Sequence, residues 1–289
     1  GGMTVQPRLE DTLGWLLYGM MGDVDTAQVG GTSAYDHTFK FDATDAGHVK
    51  WMSFRKYIPM KDAVATTDIG ELYTDCKVVG SAFTLASDRP LQARMDVIGR
   101  TFALDHAASS WTWENEYEDY PSIPIGAHTS GYIDVAGETL PVIQATVSFA
   151  NQPLDTRMER VYGSPYLEDV TIVKRQLTFD LLVKWNNPDL YAQILTGSPT
   201  GTVWTAQPFT GSFEVGMTAF GEIEDGYNYS LTISCPDAML SMNGGITLAG
   251  GQAVLMRFNG VALDNAGEYT EMVLRNGVAD YTWPVYSYP

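Results

Sequence analysis

The segments 76–86 and 91–99 constrain the fold more than any other part of the chain. They read "CKVVGSAFTLA" and "LQARMDVIG", and "SDRP" separates them. Apolar residues of the second segment alternate with polar ones, Leu91, Ala93, Met95 and Val97 with Gln92, Arg94 and Asp96. Because successive side chains of a strand point to opposite faces, this pattern predicts a half-buried strand. With "SDRP" as the turn, the two segments predict an antiparallel hairpin.

Most of the remaining sequence also favours strands. Short segments rich in β-branched and aromatic residues lie at 37–41, 49–59, 140–151, 169–185, 211–220, 227–235, 252–264 and 268–277. Within 169–185 the apolar positions change face near Lys174 and Arg175, which predicts a β-bulge. Residues 60–75 show no clear period and are predicted to form a long loop. The chain is therefore expected to be mainly β.

Two segments have helical rather than strand periodicity. In "LGWLLYGMMG" the apolar residues recur at helical spacing, and Gly22 is expected to end the helix. In "NNPDLYAQILTG" (186–197), Asn187 is the expected N-cap, Pro188 lies in the first turn and Gly197 ends the helix. Each helix can cover an apolar sheet face that a second sheet would otherwise cover.

The two halves of the sequence resemble each other. Each contains an apolar helix that ends in glycine, and "VIGRTFALD" (97–105) is echoed by "RFNGVALD" (257–264). We therefore predict tandem β-sandwich or β-barrel units, each flanked by one α-helix. The first occupies 1–139, with an acidic, aromatic linker at 107–131. The second occupies 140–289 and ends in a docked arm, "DYTWPVYSYP".

The charge balance excludes several classes of function. Thirty-five acidic residues against seventeen basic ones give a net charge of −18. Such a chain lacks the cations that displace counterions from nucleic acid, and it disfavours anionic membranes. No apolar run approaches the roughly 18 residues of a membrane helix, and no signal peptide is evident. We expect a protein that is made in a cytoplasm and does not bind membranes.

No sequence motif predicts catalysis, a cofactor or a metal. His37, His48, His106 and His128 lack metal-ligand spacing and are expected at the surface or at strand edges. Neither a GxSxG elbow nor a phosphate-binding loop occurs, and "GGITLAGG" (244–251) is better explained by turns. No catalytic, cofactor-binding or metal-binding residue is therefore assigned, and the protein is not expected to be an enzyme.

Acidic clusters and cysteines have simple structural interpretations. Two acidic groups carry enough oxygen ligands to suggest calcium, but neither has EF-hand spacing, and solvated loops are favoured: Asp23 with Asp25, and Glu222 with Glu224 and Asp225. "ENEYEDY" (114–120) is expected to be a solvated linker. Cys76 and Cys235 are too few for a disulfide framework and are predicted to be small core residues on strands.

Several phrases together resemble the major tail tube proteins of long-tailed, siphovirus-type bacteriophages. They are "LGWLLYGMMGDVDT" with "YDHTFKFD", the 76–100 hairpin, "RQLTFDLLVKWNNPDLYAQILTG", and "YSLTISCPDAMLS" with "QAVLMRFNGVALDNAGEYTEMVLRNG". The resemblance implies β-sandwich units flanked by a helix, with strands of neighbouring units joined into a barrel around a channel. Rings of six such units stack into a tube. A two-unit chain would form a trimeric, pseudo-sixfold ring, which is favoured over a hexamer.

The resemblance also implies partners and a location. The main partner is the chain itself; tape measure, terminator and distal tail proteins would be others. Double-stranded DNA would pass through without specific binding, in a virion assembled in the host bacterial cytoplasm. Segments 57–75, 107–125 and 278–289 would provide contacts between subunits or rings.

Two other classes of protein remain open from the sequence. Seven tryptophans and sixteen tyrosines also suit a soluble β-sandwich binding module, carbohydrate-binding or adhesin-like. Another tail structural protein, such as a terminator or baseplate ring component, would look much the same. An enzyme on a β-scaffold has the least support, because no nucleophile, base and oxyanion donor converge.

Overall fold

A computed structural model describes residues 1–41, 49–58, 69–105, 131–157, 159–164, 166–184, 188–205, 209–242, 254–263 and 270–281. The elements within these ranges are β1 Gly2–Val5, α1 Thr12–Met21, β2 Val24–Gln28, β3 Tyr35–Phe41, β4 Met52–Ile58, β5 Ile69–Ala86, β6 Arg89–Asp105, β7 Tyr132–Val135, β8 Glu138–Thr139, β9 Val142–Pro153, β10 Ile172–Lys184, α2 Pro188–Thr196, β11 Phe209–Glu224, β12 Tyr227–Met242, β13 Leu255–Ala262 and β14 Thr270–Asn276. The mainly-β prediction is confirmed.

The strands form one hydrogen-bonded network of antiparallel pairs. Its main path runs β1-β6-β5-β9-β10-β13-β12-β11-β7-β8, while β14, β3 and β2 branch from β12, and β4 pairs with β5. Two long strands change neighbour along one edge: β5 pairs with β4 through 69–76 and with β9 through 80–86. Likewise, β12 pairs with β14 through 230–234 and with β13 through 238–242. These changes split the sheet into layers that can face a common core.

Helix α1 is buried on nearly every side. Eight of its ten residues are buried, and it contacts β3 and β5. Gly22 ends it in the left-handed conformation (φ 92°), where its N–H donates to the Tyr18 carbonyl oxygen at 2.8 Å. A helix that is apolar on every face must be buried on every face. In this protein, strands and the C-terminal segment pack around it. By contrast, α2 buries Leu190 and Ile194 only.

Aromatic pairs join the core across distant strands. The Phe179 and Phe213 rings stack with centroids 3.8 Å apart, and Phe83 meets Phe149 edge-on at 6.1 Å. All four side chains are at most 3% exposed. Burying each ring contributes about 1.5–3 kcal/mol. The core therefore runs through both halves of the sequence.

The structure confirms several local predictions. Both helices form, although Asn187 lies outside the described residues. The hairpin forms as β5 and β6. The face change in β10 is a bulge, because the pairing register with β9 shifts between Ile172 and Lys174. Val173 and Lys174 are consecutive exposed residues there, where alternation would bury one of them.

Other local predictions were wrong. Residues 69–75, predicted to be loop, form the first part of β5, and Arg89 and Pro90 of the predicted "SDRP" turn belong to β6. Strands β1, β2, β7 and β8 were not predicted. These segments are short or mostly exposed, and pairing with distant strands defines them more than their own periodicity. Residues 60–68 lie outside the described ranges.

Strand pairing crosses the predicted boundary at residue 139. Strand β3 pairs with β14, β5 with β9, and β7 with β11. The two predicted units are thus linked by several ladders. Their division at 139/140 stays a prediction.

Candidate assembly surface

At the end of the β5–β6 hairpin that lies away from its turn, the outer edge of β6 is paired with other strands over only part of its length. Strand β1 pairs with β6 at 93–96, and Gly1 extends that contact to Val97. Among the residues that the structure describes, no strand covers the outer edge of β6 from 98 to 104. A bare strand edge presents unpaired N–H and C=O groups and acts as a template for another chain.

The same end of the hairpin exposes apolar side chains. Tyr73, Phe102 and Leu104 are 36%, 55% and 52% exposed, and we call them the distal patch. The Tyr73 and Phe102 rings lie 5.2 Å apart. The Tyr73 hydroxyl donates to Glu71 at 2.8 Å, and this bond, with a second from Lys56, lowers the pKa of Glu71. Apolar surface with a polar rim is typical of interaction sites.

Residues 167–170, which we call the crossing segment, lie over the outer face of β5 and β6 and are fixed there. The Lys77 ammonium is 2.8 Å from the Asp169 carboxylate, donates to the Val170 carbonyl oxygen at 3.0 Å, and lies 4.5 Å from the centre of the Trp51 ring. Arg100 donates to the Leu167 carbonyl oxygen at 2.7 Å. Although burial opposes it, bonds from Lys77 and the Val170 N–H lower the pKa of Asp169. The crossing segment is thus held by charge as well as apolar contact.

His37 is in the core, so its predicted surface or strand-edge position is wrong. It lies on β3 between β2 and β14, fully buried. Its Nδ1 is 2.9 Å from the Thr26 hydroxyl and its Nε2 is 3.1 Å from the Asn276 amide oxygen. Burial lowers its pKa and so favours the neutral imidazole. Local sequence could not show this, because Asn276 lies 239 positions away. His48, His106 and His128 lie outside the described residues.

Tyr281 anchors the described C-terminal segment onto α1. It is fully buried, stands edge-on to His37 at 4.6 Å and to Trp15 at 5.2 Å, and donates its hydroxyl to the Asp11 carbonyl oxygen at 3.1 Å. The Asn276 amide donates to the Tyr281 oxygen at 2.6 Å. The expected docking of the C-terminal arm is confirmed as far as Tyr281.

Three of the five acidic residues considered as calcium ligands bond to other groups of the protein. Asp25 lies in β2, not a loop, and pairs with Lys40 at 3.0 Å; Glu224 accepts bonds from the Ser33 N–H and hydroxyl at 2.7 and 2.6 Å. Asp23 accepts from the Val24 N–H at 3.0 Å. The described residues contain no group of three side chains able to hold a metal ion. Glu222 lies in β11 and Asp225 in the turn before β12; residues 114–120 and 244–251 lie outside the described ranges.

Both cysteines occupy the predicted core positions on strands. Cys76 on β5 and Cys235 on β12 are each 1% exposed and carry free thiols. Burial raises the pKa of both. In the described part of the chain, no helix has the length and apolarity to cross a bilayer.

Comparison with known families decides the identity of this fold. The sequence model of the phage tail tube protein family matches residues 1–235. The chain belongs to the phage tail tube protein family. The tail tube protein is accordingly a structural component of the virion, and the resemblance seen in the sequence is confirmed at the level of the family. A search of curated proteins found no match.

The predicted contact segment 57–75 includes Tyr73, whereas Phe102 and Leu104 were not predicted to form contacts. Phe102 and Leu104 lie on the face opposite to the apolar residues of 91–97, because their positions are even and those positions are odd. Extending the period-2 pattern of the hairpin to residue 104 therefore does not mark them as apolar contacts.

Proposed function

We propose that this tail tube protein assembles with copies of itself into closed rings that stack into a tube for double-stranded DNA. The uncovered β6 edge at 98–104, beside the distal patch, is the observation that carries the proposal. A closed ring removes such edges by pairing each with the next subunit. The family fits a structural rather than enzymatic role, and the uncovered β6 edge supports assembly into a ring.

A ring of three chains is the favoured symmetry. It rests on the prediction that 1–139 and 140–289 are two tube units, so that three chains supply six. The two helices fit this division, because α1 lies in the first half and α2 lies in the second. A ring of six chains would correspond to one unit per chain.

The negative charge suits a passage for DNA. At −18, the protein offers phosphates few cations and little gain from counterion release. DNA can therefore slide through without being held. We further propose the siphovirus-type tail, assembly in the host cytoplasm, and tape measure, terminator and distal tail proteins as partners at the tube's interior and ends.

The proposal is tested by imaging purified protein and charge-inserting variants. Phe102→Lys and Leu104→Lys place an ammonium in the distal patch, where both side chains are already more than half exposed. We expect folded monomers and no rings. Val203→Lys is the matched control, since Val203 is 78% exposed but lies in the loop after α2. Normal rings from both patch variants would contradict the proposed surface.

Imaging the same purified protein also distinguishes two alternative functions. A carbohydrate-binding or adhesin-like module would stay monomeric and retain glycans on an array. A terminator or baseplate ring protein would form single rings that do not stack, and would be present in few copies per virion.

A further inference from the structure

The six central strands of the sheet have two very different faces. On β9 the side chains of Ala145, Val147, Phe149 and Asn151 are buried, whereas the residues that alternate with them are exposed or half-buried. The same alternation of buried and more exposed residues holds on β5, β6, β10, β12 and β13. One face therefore belongs to the core, and we call the opposite one the polar face.

The polar face is built from cross-strand rows that run through both halves of the sequence. Strand pairing places Thr84 opposite Thr146, Thr146 opposite Asp180, and Asp180 opposite Asn259. Two further rows lie beside this one. The first row is Gln92, Thr84, Thr146, Asp180, Asn259 and Ser241, the second is Arg94, Ala82, Ser148, Thr178, Val261 and Met239, and the third is Asp96, Gly80, Ala150 and Gln176.

The side chains of these rows are mostly short and uncharged. The rows contain no aromatic ring, and one arginine with two aspartates gives them −1 of the chain's net charge of −18. Arg94 pairs with Asp96 at 3.2 Å, and the Asn259 amide, in the orientation that satisfies both groups, donates to Asp180 at 2.8 Å. Exposed cations of β10 and β13 lie beyond the rows, toward the strand ends: Lys174, Lys184 and Arg257.

Such a surface does not suit a contact between protein chains. The centres of protein interfaces are enriched in aromatic residues, methionine and arginine. In the three rows only Met239 and Arg94 are of these types, and they lie on β12 and β6, the two outermost of the six strands. The middle of the face offers a neighbouring subunit little to bind.

The layers on the other side of the sheet determine which way the polar face turns in a ring. Helix α1 lies on the core side, because the Asn151 amide donates to the Met20 carbonyl oxygen at 3.0 Å and the Ser81 hydroxyl donates to the Met20 Sδ at 2.9 Å. Strand β3 contacts α1 in turn. If the β6 edges join such sheets into a closed ring, the added layers need the larger circumference and lie outside. The polar face then turns toward the axis.

We infer that the polar face lines the channel and is the surface that the DNA duplex meets. The inference rests on the proposed ring. It assigns the low adhesion of the channel wall to short uncharged side chains, while the negative charge of the chain lies mainly elsewhere. In the three rows the single cation is paired with a carboxylate, so phosphates gain little from counterion release there.

Size-selective labelling of a cysteine on the polar face tests the assignment. Ser148 is half-buried in the second row, and both natural thiols are buried. In Ser148→Cys we expect a small methanethiosulfonate to react in monomers and in tubes. A maleimide on a long polyethylene glycol chain should react at least about tenfold more slowly in tubes, since access controls the rate. Val203→Cys is the matched control, because Val203 is 78% exposed and outside the face, and both reagents should modify it in both states.

The outcomes distinguish the face from the ring. Tubes that shield Ser148→Cys from the large reagent alone support the assignment. Equal reaction of the large reagent in tubes and monomers, or shielding from both reagents, overturns the inference and leaves the ring standing; so does equal shielding of Val203→Cys. Absence of rings at every concentration overturns the proposed function and the inference with it. Circular dichroism confirms that the variants fold.

A charge variant supplies an independent readout. In a closed ring the ammonium of Ser148→Lys would face the same duplex from every subunit. Tubes of this variant should therefore retain a short double-stranded DNA at least about tenfold more tightly than unmodified tubes at low salt, and release it as salt rises. Val203→Lys adds the same charge outside the face and should change retention less. Equal retention by the two variants would overturn the assignment.

Discussion

The aromatic ring of Tyr281 occupies the space that a side chain on Gly14 would need. A β-carbon built on Gly14 overlaps the far end of that ring. Tyr281 cannot swing away without cost, because its hydroxyl bonds to Asn276 at 2.6 Å and to the Asp11 carbonyl oxygen at 3.1 Å. The contact holds the C-terminal segment on α1, at a distance of 267 residues in sequence.

Gly14→Ala should therefore destabilise the protein although alanine favours helices. The propensity gain of about 1 kcal/mol is outweighed by overpacking, which costs about 1–3 kcal/mol. Gly19→Ala is the matched control within the same helix, since a β-carbon there meets the flexible side chain of Met52. Thermal unfolding should rank Gly14→Ala below Gly19→Ala. Adding Tyr281→Ala should then cost less in the Gly14→Ala background than alone; equal costs would show that the two sites are independent.

His37 should make stability depend on pH below about 6.5. Burial lowers its folded-state pKa from 6.5, although Asn276, the Val278 backbone, Asp36 and Asp280 raise it. Below pH 6.5 the unfolded state therefore binds more protons than the native state, and stability falls as pH falls through this window. Because only one proton is involved, the free energy of unfolding changes by at most about 1.4 kcal/mol per pH unit.

The measurement is the free energy of unfolding in urea at several pH values, for the protein and for His37→Gln. The difference between the two should shrink or change sign as the pH drops from 7 to 5, because the variant has no imidazole to protonate. Carboxylates with lowered pKa values, such as Glu71 and Glu224, lose their contribution only below their ordinary value of 4.5. Parallel curves would show that His37 does not titrate with unfolding.

Removing Asp169 should loosen the crossing segment. Lys77 is only 8% exposed in its side chain and would keep just the Val170 carbonyl oxygen and the Trp51 ring, while Asp169 is 48% exposed, which weakens the pair. We expect Asp169→Ala to cost about 1–2 kcal/mol and to speed proteolysis within 154–171. Lys77→Met with Asp169→Ala should recover much of the loss. If the double variant is the least stable, the ion pair is worth more than its desolvation cost.

Asn151 should be among the least replaceable polar residues. It is 1% exposed, and its amide donates to the carbonyl oxygens of Met20 and Val78, both at 3.0 Å. Asn151→Leu leaves both oxygens without that donor and should cost about 2–3 kcal/mol in a denaturant titration. Gln152→Leu, one residue further along the strand and exposed, is the control. A loss of less than about 0.5 kcal/mol for Asn151→Leu would mean that water replaces the amide.

Local periodicity predicted the elements whose own side chains define them. The β5–β6 hairpin and both helices carry clear apolar patterns, and the bulge in β10 shows as a change of face near Lys174. Strand β2 could not be found this way, because four of its five residues are exposed and pairing with β3 makes it a strand. The 69–75 part of β5 is similar, since β4 and β6 hold it from both sides.

Function was predicted from family likeness and charge. Of the distal patch, only Tyr73 lies in a segment, 57–75, that the resemblance marks as a contact. The position of His37 depends on Asn276 and Tyr281, which only the folded chain brings together. Long-range packing and contacts between copies produce no periodic pattern of apolar residues in the local sequence.

Native mass spectrometry of the purified protein, with cryo-electron microscopy of the same sample, tests the central claim most directly. Each chain has a mass of 31.7 kDa. We predict a closed ring of three chains with pseudo-sixfold density, and these rings should stack into tubes as the protein concentration rises. A ring of six chains would refute the two-unit division but keep self-assembly. A protein that stays monomeric at every concentration would contradict the proposed self-assembly.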